Sequence, residues 1–163
     1  MSQAPSAVQV AVEDEQVVVF DVASESYAVN IARVHEIIRL QQITVIPGAP
    51  PCIEGVINLR GKVIPVLDLR KRFSLLAAEH TRASRIVVVE IGGQTIGLVV
   101  DGVSEVLRIM TDRIEPPSPL VTGIDSRYLR GIAKLEDRLI VLLDLDQVLS
   151  PVEQQQLETS DLR

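Results

Sequence analysis

Gln16-Val-Val-Val-Phe-Asp-Val22 and Arg85-Ile-Val-Val-Val-Glu-Ile91 are one strand pattern written twice, 69 positions apart. The match continues without a gap: Val34, Glu36, Ile37, Ile38 and Arg39 meet Val103, Glu105, Val106, Leu107 and Arg108. A second block lays Ile53–Phe73 over Leu129–Leu149 at an offset of 76. There Gly55, Leu59, Ile64, Leu67, Asp68 and Leu69 meet Gly131, Leu135, Ile140, Leu143, Asp144 and Leu145. Two blocks that agree in order, glycines and charges included, read as an internal duplication. The second copy carries seven extra residues within about Thr111–Arg127. Glu115-Pro-Pro-Ser-Pro119 predicts an irregular, proline-stiffened loop there.

Each copy reads as short strands between turn signals. Gln16–Val22 and Tyr27–Ile31 flank Ala23-Ser-Glu-Ser26, whereas Arg85–Ile91 and Gln94–Val100 flank Gly92-Gly93, which accepts the positive φ of a two-residue hairpin. Val56–Arg60 and Lys62–Leu69 flank Gly61, and Pro65, lacking an N–H, predicts an edge or a bulge in the second of these. Val34, Ile37 and Ile38 have helical spacing within Ile31–Ile38, and Asp68 is placed to cap a helix reaching Leu76. Ser150-Pro-Val-Glu153 is a capping box opening a final helix that frays near Asp161. The expected fold is mostly β with a few short helices: two five-stranded barrels side by side, because closure hides sheet edges. Residues 1–15 read as a flexible tail, although Val8–Val12 could add a strand; 16–149 form the paired domain and 150–163 a terminal helix. The first barrel spans about 16–75 and the second about 85–149, with room for strands to exchange between them.

The chain has 163 residues, 47% of them hydrophobic, enough for a core without staples. A formal charge of −6 argues against a nucleic-acid partner, which needs a basic face. There is no apolar run long enough to span a membrane, and Arg33 and Arg39 are the only basic residues before position 40, too late for a secretory leader. The single Cys52 fits a reducing, cytoplasmic compartment. His35 and His80 cannot make a histidine-rich metal site, and there is no Gly-x-Ser-x-Gly elbow. Ile91-Gly-Gly-Gln-Thr-Ile-Gly97 lies between strands and lacks the lysine and helix of a phosphate cradle. Asp68 and Asp144, equivalent strand-end positions, read as caps before paired acids. No catalytic residue, metal or cofactor is expected.

Ile53-Glu-Gly-Val-Ile-Asn-Leu-Arg-Gly-Lys-Val-Ile-Pro-Val-Leu-Asp-Leu-Arg-Lys-Arg-Phe73, with Tyr27–Ile37 and Val100-Asp-Gly-Val-Ser-Glu-Val-Leu107, resembles the CheW family of chemotaxis coupling proteins. The resemblance covers about Gln16 to Leu149. It implies two SH3-like barrels and a non-catalytic adaptor that bridges transmembrane chemoreceptors to the regulatory domain of a CheA-type histidine kinase. It also implies recruitment to membrane-associated arrays, and a chain that is mostly monomeric but able to join itself into rings. A coupling protein of a non-flagellar chemosensory pathway, governing pili, surface growth or second messengers, would share this fold. The reading from another class is a ligand-binding protein or enzyme using the cleft between barrels; it needs convergent polar groups where the repeat places mostly valine and glycine.

Carried over by position, the resemblance puts a receptor-facing groove at Val34, Glu36, Gly55, Arg60, Val103 and Val106. An apolar groove lined by the three valines suits the helical tip of a receptor, and Glu36 with Arg60 would form an ion pair in its wall. Kinase contacts fall at Ile31, Glu54, Val63 and Val66 on the first barrel and at Glu115, Pro119 and Leu120 in the proline-rich insertion. Family members often carry an aromatic where Leu120 stands and a basic residue where Glu115 stands. This second contact therefore departs from the family pattern, in the direction of a partner with compensating charge.

Overall fold

The computed structural model describes residues 13–118 and 123–159. Its strands are β1 (Asp14–Val22), β2 (Glu25–Asn30), β3 (Val34–Arg39), β4 (Ile53–Leu59), β5 (Lys62–Asp68), β6 (Arg85–Ile91), β7 (Gln94–Val100), β8 (Gly102–Met110), β9 (Ile114–Glu115), β10 (Leu129–Leu135) and β11 (Arg138–Leu143). Three short helices, α1 (Leu69–Arg72), α2 (Leu145–Val148) and α3 (Pro151–Thr159), follow β5 and β11. The strands build two SH3-like barrels. One sheet is ordered β8-β1-β2-β11-β10-β9 and the other β3-β6-β7-β5-β4. The barrels are thus not five strands each: the first sheet has a sixth, two-residue strand, β9. Its counterpart in the other sheet shrinks to the single bridge Thr44–Val56.

Neither barrel keeps to one copy of the repeat: β3–β7 run unbroken from Val34 to Val100 across the join of the copies, and this barrel is inserted between β2 and β8 of the other, so the expected spans of about 16–75 and 85–149 do not hold. The hairpin β1–β2 sits among β8–β11, and its repeat β6–β7 sits among β3–β5. The register obeys the repeat residue by residue. Ile38 opposite Ile86 becomes Leu107 opposite Val17, and Val66 beside Gly97 becomes Leu142 beside Ala28. Even the bulges recur, at His35 and Ser104 on β3 and β8 and at Glu54 and Arg130 on β4 and β10. The two halves are related by a pseudo-twofold with reciprocal strand exchange.

Three expectations change. The helical spacing of Val34 and Ile37 comes from the bulge at His35. An extra residue in one strand puts positions three apart on one face, so only Ile31–Arg33 is helical and β3 follows. The helix after Asp68 stops at Arg72, where Ser74 takes φ +59°, although Asp68 does cap it, accepting from the Arg70 N–H at 2.9 Å. Pro65 is not on an edge, because β5 lies between β4 and β7; pairing with β7 begins one residue later, at Val66. The final capping box forms as written: Glu153 Oε1 accepts from Ser150 N at 2.9 Å and Ser150 Oγ from Glu153 N at 3.1 Å. The possible strand at Val8–Val12 lies outside the described residues.

Each barrel has its own β-branched and leucine core, one around Val17, Val19, Ile140 and Leu142, the other around Ile64, Val66, Ile86 and Val88. The larger cluster lies between the barrels and draws Phe20, Val29, Leu67, Val87, Leu98, Leu143 and Leu157 from both. At about 1.5–3 kcal/mol per buried side chain, that seam fuses the two into one unit. All four aromatics form one ladder within it: Phe20–Tyr27, Tyr27–Phe73 and Phe73–Tyr128, with ring centroids 6.4, 5.5 and 5.8 Å apart.

Candidate partner-binding surfaces

β3 and β8 are edge strands related by the pseudo-twofold. On β3, Val34 lies opposite Val89 and Ile37 opposite Val87, and both of these partners belong to the seam between barrels. On β8, Val103 lies opposite Phe20 and Val106 opposite Val18. Cross-strand partners share a face, so the bulges turn Val34 with Ile37, and Val103 with Val106, to matching faces. Val34 and Val103 are half-buried against the seam, while Ile37 is 40% and Val106 50% exposed. Each edge strand therefore offers one apolar side chain anchored in the core and one presented outward. Ile37 was not among the expected site residues, yet the repeat pairs it with Val106 and could have named it.

Glu36 and Arg60 do meet in an ion pair. Its position differs from the expectation. Glu36 lies opposite Val88, a residue of the barrel interior, and so faces away from Val34. With His35, Leu59, Lys62 and Thr95 the pair borders a cleft of about 280 Å³ at the barrel mouth. Arg60 stands at φ +53° beside Gly61 in the β4–β5 turn, whose geometry is fixed by Asn58 Oδ1 accepting from the Gly61 N–H at 2.8 Å. The other barrel repeats the theme with Glu105 and Arg138 at 2.7 Å. Gly55 is buried, and a Cβ there would sit 2.1 Å from the Thr44 carbonyl oxygen. It offers no side chain to a partner; it lets the chain before β4 cross closely enough to pair.

Among the positions expected to face a kinase, Ile31 and Val63 are 37% and 39% exposed. Glu54, the bulge residue of β4, is partly buried and pairs with Lys71 at 2.5 Å. Val66 is a correction: it is 0% exposed within the barrel core, because its neighbours on both sides cover it, and cannot touch a partner directly. Glu115 is exposed on β9 and lies 3.4 Å from Lys134. Pro119 and Leu120 lie outside the described residues.

The motif residues that carry the family resemblance do structural work that the sequence did not disclose. Arg70, of the Asp-Leu-Arg run, donates to Asp101 at 3.2 and 2.6 Å and to the Leu76 carbonyl at 2.7 Å. Asp101 also accepts from the Ala23 N–H at 2.7 Å, so one carboxylate ties α1 to the β1–β2 turn of the other barrel. Arg72 donates to Glu153 at 3.1 and 2.7 Å, fastening α3 across the seam. Nearby, burial pushes the Cys52 thiol up to about 11. Among the described residues no group of histidine, cysteine and carboxylate side chains is arranged to hold a metal, and no helix is long and apolar enough to cross a membrane.

The CheW-like domain family model matches residues 16–153. The chemotaxis protein CheW of Klebsiella aerogenes is 33% identical over 139 residues, covering 85% of this chain and 84% of that protein. CheW of Bacillus subtilis is 36% identical over 135 residues, with coverages of 83% and 86%. The crystal structure of the scaffolding protein TtCheW from Thermoanaerobacter tengcongensis superposes with a TM-score of 0.79 at 45% identity, covering 86% of this chain and 91% of that one.

Proposed function

The chain belongs to the CheW family of chemotaxis scaffold proteins, and on that premise we propose that it is a non-catalytic adaptor coupling chemoreceptors to a CheA-type histidine kinase. The observation that carries the reading is the pair of outward apolar faces, Val34 with Ile37 and Val103 with Val106, held at the barrel edges by matching bulges. Such faces cost solvation when bare and suit the apolar stripe of a helix. The helical tip of a chemoreceptor would supply that stripe. Exposed Val63 and Ile31 would meet the regulatory domain of the kinase, whose own double barrel offers β-strand surfaces of like shape. Glu36 and Arg60, on the opposite side of β3 from Val34, would offer a partner a separate polar contact at the barrel mouth. Binding energy used in this way couples two partners without chemistry by the chain itself. In the cell it would act in the cytoplasm, recruited to membrane-associated receptor arrays.

Size-exclusion chromatography with light scattering, on the chain mixed with the regulatory domain of the CheA homologue from the same genome, tests the reading. Co-elution that Val63→Glu abolishes and Val106→Glu leaves intact is expected. A pull-down by a receptor signalling domain should show the opposite pattern. Failure of both mixtures, with folded protein, would refute the adaptor assignment.

A further inference from the structure

β3 ends in an arrangement of charge that the fold does not neutralise. Arg39 lies directly opposite Arg85 on β6, and like charges in a cross-strand pair repel. Arg82 joins them around a cleft of about 480 Å³ lined otherwise by Leu40, Thr81 and Ser84, with no carboxylate. Among the described residues none of the three arginines has an ion pair, in a chain that carries six more negative than positive charges. Arg85 is held in place: its Nη1 donates to the Arg82 and Ser84 carbonyls at 2.7 and 2.8 Å, and its Nε and Nη2 are left to other acceptors.

The barrel that holds β1 and β8 is an internal control. There Arg39 is replaced by Arg108 and Arg85 by the uncharged Gln16, opposite one another as before. Arg108 is answered by Asp14 at 3.0 Å. At the repeat offset Asp14 becomes Ala83, so the neutralising carboxylate is missing where the arginines are three.

We propose that this cleft binds a carboxylate-rich segment of a protein partner, whose acidic side chains take the outer edges of Arg39, Arg82 and Arg85. A guanidinium with one edge fixed and the other open matches a carboxylate in fork geometry. The exposed Ile37, two residues before Arg39 and on the same side of β3, extends the cationic end with an apolar step. That favours an amphipathic segment over a bare oxyanion. The negative net charge works against attraction to an extended polyanion such as a membrane surface or nucleic acid. The proposal goes beyond the adaptor reading, since it requires neither receptor nor kinase, although the segment would share Ile37 with the face proposed for the receptor.

The test uses the isotope-labelled full chain, titrated with a synthetic peptide of alternating glutamate and leucine. A glutamine–leucine peptide, inorganic phosphate and anionic phospholipid vesicles are run in parallel. Saturable amide shifts at Ile37–Leu40 and Thr81–Arg85 are expected with the glutamate peptide alone, weakening as salt is raised. Arg39→Glu should reduce affinity about tenfold or more, with Arg108→Glu, a charge reversal of equal size on the neutralised barrel, close to wild type. Equal losses in the two variants would overturn the proposal. So would the absence of saturable shifts, or phosphate or vesicles matching the peptide in affinity and in the residues shifted.

Discussion

Replacing Arg70 by methionine keeps the aliphatic stem of the side chain and removes the guanidinium. Two charge-assisted bonds to Asp101 and one bond to the Leu76 carbonyl are lost, and Asp101 keeps only the Ala23 N–H. Hydrogen bonds to charged groups contribute about 1.5–3 kcal/mol each when dry. Asp101 is more than a third exposed, so water takes over much of the loss. We expect a destabilisation of about 2 kcal/mol, or a Tm lower by roughly 4–8 °C at this chain length. The effect should depend on pH. Burial raises the Asp101 carboxyl, but the Arg70 and Ala23 bonds outweigh it and hold it below its ordinary value. A carboxyl with a depressed folded pKa contributes stability above its unfolded value, about 3.9, that disappears as pH falls through the folded one. The gap between wild type and Arg70→Met should thus be full at pH 7 and shrink below about pH 4. Urea unfolding at pH 7 and at stepwise lower pH reads this directly. In a double-mutant cycle Arg70→Met with Asp101→Asn should cost less than the two single changes together. A gap that stays constant into strong acid, with additive singles, would show that Arg70 acts through packing and that the ion pair is incidental.

Two further outcomes rest on close packing elsewhere in the fold. Gly55→Ala, whose Cβ would meet the Thr44 carbonyl oxygen, should break the Thr44–Val56 bridge and cost several kcal/mol, about as much as a severe core lesion, whereas Gly61→Ala, with open space around it, should cost only the strain of its φ of +83°; thermal melts of both compare them. Cys52, buried and with its thiol raised to about 11, should react with a thiol reagent at pH 8 only as fast as the protein opens, and labelling at the rate of a free thiol would contradict its placement.

Much of this was legible in the residues. The duplication announced matched sheets because register follows hydrophobic pattern, and that pattern survived in both copies. The Glu36–Arg60 pair followed from the family resemblance, but its side of the sheet did not, since a single bulge residue, His35, inverts the phase of all that follows. The same bulge imitated a helix. Val66 was named by family position alone, and such a position does not tell that β5 is covered on both faces there. The pairing of Arg70 with Asp101 was out of reach, because it joins residues of different copies just beyond the ends of β5 and β7, neighbours only once the sheet has formed, with no local signal. The unneutralised arginines were visible singly, but only the register puts Arg39 across from Arg85.

Because each copy of the repeat lends a hairpin to the sheet of the other, a cut between them, after β5, leaves neither barrel with all its strands. The barrel of β3–β7 has all its strands once a ribosome has delivered Val100, whereas the other, begun first with β1 and β2, waits for β11. The same bond has a mechanical side. A push on β3 is borne by β6, and β6 continues into β7 and β8, the strand that carries the opposite face. A partner seated on one edge therefore leans on the strands that shape the other, and two occupants of this small protein would not be strangers to each other.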